Sequence, residues 1–251
     1  MNKGSGIRAA LATAALAALL GLTGCIPTAA TGNWQTFGSI SAESTVKPVQ
    51  TMIFSDSIGY QALSGQSEID RLALATGHGA LVNAVEGASF SHFVNNSLLP
   101  NGEWAVARTL DRVRPRVTVF ELGTNDARIL AAEIPTGSGY TQADFTGSLQ
   151  SASDKARSIS ACTVLVNATT RPQTAAGYRY YAQYVNNSLQ TTVNAHLGFF
   201  RLADWDGYSR NHPEWFLTAA QDPTQFHQNA DGQAVYRSWL YGQIQAAYNS
   251  C

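Results

Sequence analysis

Charge is what this chain has least of. Asp, Glu, Lys and Arg together make up 13% of its 251 residues, against roughly 25% in ordinary soluble domains. The formal net charge is −1, which gives a nucleic-acid partner no electrostatic support. No block of like charges and no internal repeat interrupts the chain, so charged tails and solenoids are excluded. Cysteine is scarce, at 3 residues. No histidine, cysteine or carboxylate cluster has metal-ligand spacing, and neither a metal nor a cofactor is called for. Long apolar runs are nearly absent, and the one candidate, Ala9 to Leu22, is too short for a comfortable membrane span. What is abundant is core material, with 5 Trp, 10 Tyr and 10 Phe. The length suits one sizeable α/β domain preceded by an export segment.

That segment is read at residues 1–24. Lys3 and Arg8 precede the apolar run, which ends in Leu22-Thr23-Gly24-Cys25. The pattern resembles a bacterial lipobox, in which the cysteine is lipidated and becomes the first mature residue. A plain secretory signal with a chance cysteine is the alternative. Removing residues 1–24 deletes two cations and no anions, leaving about −3. Residues 25–48 are rich in Thr, Ser, Ala and Gly without an apolar period, and read as a tether holding the domain at 49–251 off the outer face of the membrane. Export leaves Cys162 and Cys251 in an oxidising compartment, where two leftover cysteines are expected to pair. The alternative is a buried thiol at Cys162 and an unpaired one at the terminus.

From Thr51 onward, strands alternate with helices. Thr51 to Phe54 is a strand, and Ile58 to Thr76 is helical only in part, because Gly59, Ser64 and Gly65 interrupt it. Gly79 to Val85 suits a buried strand, Trp104 to Val113 follows a helix period, and Arg116 to Leu122 is the clearest strand. Then come a helix at Ala143 to Ser160, a strand at Thr163 to Asn167 and a helix at Tyr178 to His196. A strand at Phe199 to Leu202 and a closing helix at Ala230 to Tyr248 complete the series. Such alternation implies βαβ units, a parallel sheet covered on both faces, and ligands at the carboxyl ends of the strands. Polar clusters follow the first three strands: Asp56-Ser57, Glu86-Gly87, and Gly123-Thr124-Asn125-Asp126. Taken alone, Ser57 reads as a helix N-cap, and Gly87 and Asn125 as turn residues.

Taken together and in order, with His227 late in the chain, these blocks resemble those of the SGNH, or GDSL-type, hydrolases over roughly residues 49–251. The resemblance implies a flavodoxin-like α/β/α sandwich and an esterase, lipase, carbohydrate deacetylase or acyltransferase. It assigns Ser57 as nucleophile and His227 as base, and it makes an oxyanion hole from the backbone N–H groups of Ser57 and Gly87 with the Asn125 side chain. The chemistry agrees. Serine needs a base with the pKa of histidine, and the tetrahedral intermediate needs donors that do not compete for its proton. A glycine suits Gly87 because a backbone donor near substrate is best left uncrowded. Asp126 reads as a turn support. His78, His92, His196 and His212 lack the flanking pattern of His227, and Asp204-Trp205-Asp206 reads as a strand-end loop.

Two positions depart from the family pattern. Ser55 replaces the usual glycine before Asp-Ser. The acid that usually lies three residues before the histidine is missing, since Thr224 occupies that place and Asp222 stands five before. A His-Pro-x-Trp-Phe block carried by relatives is matched at His212 to Phe216, which points to a short insertion before His227. Asp222 is the candidate acid, provided that residues 222–226 bulge outward, as Pro223 favours. Otherwise Thr224 or a backbone carbonyl holds the ring, or nothing does. The expected partner is an ester substrate, lipid or acylated glycan. The alternatives are an O-acyltransferase and a non-catalytic lipoprotein that binds an envelope glycan or lipid.

Overall fold

The computed structural model describes residues 39–95, 113–133, 139–171 and 173–251. The leader, Cys25 and all but the last residue of the helix read at Trp104 to Val113 lie outside them. Among the described residues one sheet forms the middle layer. Its strands are β1 (Ser39–Glu43), β2 (Val49–Ser55), β3 (Gly79–Val85), β4 (Val117–Glu121), β5 (Cys162–Val166) and β6 (Phe200–Ala203), in the order β1-β3-β2-β4-β5-β6. From β3 to β6 every pairing is parallel, and β1 runs antiparallel along β3. Without β1 this is the doubly wound flavodoxin-like order, whose switch point falls between β2 and β4.

The strand at β1 corrects the tether reading. Ser39 to Glu43 pairs residue for residue with Val85 to Leu81. Just beyond it, Thr45 donates through N and Oγ1 to Asp70, at 2.8 and 2.9 Å. Residues 39–48 therefore belong to the folded domain, and the sheet is mixed rather than wholly parallel. Composition hid this, because a short edge strand stabilised by main-chain pairing needs no apolar run.

The helices follow from which side chains the strands turn each way. In β2, Met52 and Phe54 face one side and Ile53 the other; in β4, Phe120 opposes Val117 and Val119. The first face carries Phe90 of α3 (Phe90–Asn95), Phe145 and Leu149 of α5 (Gln142–Ile159), and Val185 and Leu189 of α6 (Ala176–Ala195). The second carries Ile58 of α1 (Ser57–Leu63), Ile69 of α2 (Gln66–Thr76), and Leu240 and Ile244 of α8 (Ala230–Ser250). Two further short helices, α4 (Thr124–Leu130) and α7 (Trp205–Ser209), open directly after β4 and β6. β3, β4 and β5 are buried along their whole length. This matches their near-continuous apolar sequence.

Cys162 opens β5 and Cys251 follows α8, and a disulfide joins them with Cα atoms 5.8 Å apart. It closes a loop with a sequence separation of 89 and ties the last helix to the sheet. Such a crosslink contributes roughly 2–4 kcal/mol. No helix among the described residues is long and apolar enough to cross a membrane.

Candidate active site

The site is built at the carboxyl ends of β2, β3 and β4. β2 and β4 end level, with Phe54 beside Phe120 and Ser55 beside Glu121. Directly after β2, Asp56 caps α1 by accepting from Ile58 N at 2.9 Å. The aspartate is therefore the cap, and the serine is the first helical residue. That placement leaves the Ser57 hydroxyl for something else, and it lies 2.9 Å from His227 Nε2.

His227 reaches Ser57 from a loop fixed at both ends. Phe216 bridges Gln228, and Leu217 N donates to His227 O at 3.0 Å, so the His212–Phe216 block lies alongside the histidine. Asn229 then caps α8 by accepting from Gly232 N at 2.9 Å. Before the histidine the chain loops back on itself. Asp222 N donates to Thr218 O at 2.8 Å and Gln225 N to Asp222 O at 3.0 Å. The loop returns Asp222 Oδ2 to 3.0 Å from His227 Nδ1, and the same oxygen accepts from His227 N at 3.1 Å. Oδ1 accepts from Thr224 N at 3.0 Å and Thr224 Oγ1 at 2.5 Å.

Ser57, His227 and Asp222 thus form one hydrogen-bonded chain, each at most 6% exposed. Burial alone would raise the Asp222 carboxyl. The hydrogen bond and charge of His227, with Thr224 and a backbone N–H, instead hold it well below the usual carboxylate range. An ionised carboxylate only accepts, so Nδ1 carries the ring proton and Nε2 is left to accept from Ser57.

The other predicted site residues lie at the same sheet edge. Asn125, in the first turn of α4, donates from Nδ2 to Ala88 O at 2.9 Å and to Asp56 Oδ2 at 3.2 Å. Both of its N–H groups are therefore engaged in this structure. An oxyanion would have to draw one of them away, and the longer bond to Asp56 is the weaker. Gly87 lies in the turn after β3 with φ +82°, and a Cβ there would meet nothing within 4 Å. The positive φ is a conformation that glycine adopts readily. Asp126 accepts from Phe90 N at 3.0 Å and Tyr140 Oη at 2.9 Å, pinning the start of α3 to α4. The remaining histidines do other work: His78 stacks on Tyr248, His212 on Trp215, and His92 bonds Ser89 at 2.7 Å. His196 lies beside Phe200. Asp204 caps α7, and Asp206 accepts from Thr170 and Arg210. Among the described residues no group of three or more His, Cys, Asp or Glu could hold a metal ion.

Sequence reading missed the contacts of Ser55, two residues before Ser57. Ser55 Oγ donates to Glu121 Oε2, and Gly59 N donates to the same oxygen at 3.1 Å. A Cβ on Gly59 would run into Ser55 Oγ. The serine before Asp56 and the glycine four residues later are thus one packing solution, and the pair Ser55 and Gly59 was the signal. Burial pushes Asp56 up to about 7 and Asp126 up to about 6. Burial, with the neighbouring Asp56 charge, holds Glu121 well above the usual range.

Acids raised in the folded state stabilise below their unfolded pKa values and lose that contribution as pH rises through the folded ones. Buried His92, pushed down to about 4, acts in the opposite sense between about pH 4 and 6.5. Glu121→Gln mimics the protonated acid and isolates its share. The variant should gain stability relative to wild type as pH rises from about 5 to about 8, read by chemical denaturation at each pH. Parallel curves would show that Glu121 ionises without cost.

No family model and no curated protein matches the chain. Solved structures do. The catalytic domain of peptidoglycan O-acetyltransferase A from Streptococcus pneumoniae aligns over 82% of this chain and 97% of its own, with TM-score 0.55 and 16% identity. A psychrotrophic esterase from Pseudoalteromonas sp. aligns over 80% and 99%, with TM-score 0.56 and 15% identity. A variant of an acetylxylan esterase from Geobacillus stearothermophilus aligns over 80% and 96%, with TM-score 0.57 and 11% identity. The strand order, the helices on both faces and these structural likenesses agree: this chain has the SGNH, or GDSL-type, hydrolase fold.

Proposed function

We propose that the protein is a serine hydrolase that cleaves carboxylic esters through an acyl-enzyme. The observation that carries this reading is the unbroken chain from Ser57 Oγ to His227 Nε2 at 2.9 Å and from His227 Nδ1 to Asp222 at 3.0 Å. Ser57 Oγ attacks the ester carbonyl while its proton passes to His227 Nε2, and Asp222 stabilises the imidazolium. The negative oxygen is received by the N–H groups of Ser57 and Gly87 and by Asn125. Collapse breaks the acyl–oxygen bond, and His227 returns the proton to the departing alcohol. Water then attacks the acyl-enzyme and gives its proton to His227, which passes it to Ser57 Oγ as the acyl–Oγ bond breaks and the carboxylic acid leaves.

The substrate class is a lipid or carbohydrate O-acyl ester. The leader motif supports a location at the outer face of the bacterial membrane, held by a lipid on Cys25. Likeness to an O-acetyltransferase domain favours a second reading, in which an acceptor hydroxyl takes the place of water. The Pseudoalteromonas esterase was captured inhibited by monoethylphosphonate, and a fluorophosphonate is the matching probe here. It should label Ser57, and a panel of short to long acyl esters should be hydrolysed. Added acceptor alcohols separate hydrolysis from transfer. An unlabelled protein that still binds glycan or lipid would replace the enzyme with a binding lipoprotein.

Asn125→Ala removes one oxyanion donor and should lower kcat by roughly 10²–10³-fold with little change in KM. Because Asn125 also joins Ala88 to Asp56, a thermal melt must accompany the kinetics. Nearly full turnover in a folded variant would leave the hole to the two backbone donors.

A further inference from the structure

Arg171 is 1% exposed, an unusual place for a guanidinium. Its guanidinium carbon sits 3.5 Å over the ring of Phe216, and its Nη2 donates to Gln225 O at 3.0 Å. Nε and Nη1 find no hydrogen-bond partner among the described residues. Burial pushes the group down to about 10, and attraction to Asp222 partly offsets this. A cation so poorly compensated is a net burden on folding, which points away from a role in stability alone.

Its contacts fall on the loop that separates acid from base. Gln225, the residue it holds, has φ +56°, a conformation that costs energy outside glycine and persists only where surroundings enforce it. Gln225 Nε2 donates to Gln173 O at 2.9 Å, so the same segment grips the residue by main chain and side chain. Arg171 is itself fixed, since its carbonyl accepts from Thr174 N at 3.1 Å and Thr174 Oγ1 at 2.7 Å. From the other side Gln225 N closes the turn onto Asp222 O at 3.0 Å.

We propose that Arg171 is a positioning residue for the reaction, holding Gln225 so that the five-residue step from Asp222 to His227 folds back into a working acid–base pair. It rests on the serine-hydrolase reading and adds to it the cause of the unusual spacing. The charge of Arg171 is also attracted by Asp222. Among the described residues, charges that act on His227 or its neighbours include Asp56 at the head of α1, Glu86 after β3, and Asp126 and Arg128 of α4, whose fields reach Asp56.

The test is a double-mutant cycle on the full exported protein, read with a short acyl nitrophenyl ester and by the rate of fluorophosphonate labelling. Arg171→Met should lower kcat by roughly 10–100-fold with KM within about twofold, the size of effect a misplaced catalytic group produces. In an Asp222→Asn background the same change should cost less than about threefold, because no carboxylate remains to be positioned. Arg171→Lys keeps the charge but cannot lie flat on Phe216 or present the same fork, and should restore only part of the rate. Losing the cation eases protonation of His227, so the acid limb of kcat/KM should move to higher pH in Arg171→Met and stay in place in Arg171→Lys. If the methionine variant fails to fold, the lysine variant carries the same cycle. Equal losses in both backgrounds, or full turnover without Arg171, overturn the inference while the hydrolase reading stands. A wild-type protein that neither turns over ester nor takes the probe overturns both.

Discussion

Ser57→Ala should abolish ester hydrolysis and fluorophosphonate labelling, a loss of roughly 10⁴-fold or more in kcat. What survives would be the modest acceleration that donors and binding supply without a nucleophile. Stability should hardly move. The cap of α1 is Asp56 and not Ser57, alanine is a good helix former, and one hydrogen bond to His227 is lost, worth about 1 kcal/mol. Labelling with equal intensity in wild type and variant would place the reactive serine elsewhere and remove Ser57 from the mechanism.

Asp222→Asn should cut kcat by roughly 10⁴-fold, the cost of the wrong histidine tautomer in a serine triad. Asp222 now accepts from His227 Nδ1 and N through Oδ2. An asparagine that turns its NH2 toward the ring donates to Nδ1 and drives the proton to Nε2, where the serine proton must go. Thr224→Ala removes only the hydroxyl bond to Oδ1, while the Thr224 N–H contact remains. It should cost less than about tenfold. Measured side by side, the two variants decide which residue supports the ring. An Asp222→Asn enzyme with most of its turnover would mean a Ser57–His227 dyad, with Asp222 as a loop residue.

Gly79 to Val85 and Ala230 onward were readable because their burial leaves a local signature, a continuous apolar run or a long helical period. β1 left none, since its partner lies about forty residues away and its bonds are main chain. Trp104 to Val113, also read as a helix, falls outside the described residues but for its last member. At the site, the order of the polar blocks gave Ser57, Gly87, Asn125 and His227 by resemblance. The structure brings them to one sheet edge because parallel strands all present their carboxyl ends there.

By itself, then, the amino-acid sequence determined the βαβ alternation, the cysteines available to pair, and the residue types and order from which a nucleophile and base could be made. Those are properties of neighbours along the chain. Tertiary structure alone decided that Arg171 lies buried behind the turn between Asp222 and His227 and holds Gln225. It also decided that both Asn125 N–H groups are occupied and that Glu121 sits beneath Ser55. The physical reason is distance. These arrangements rest on hydrogen bonds and burial between segments up to about seventy residues apart, whose energies exist only once the sheet has brought them together.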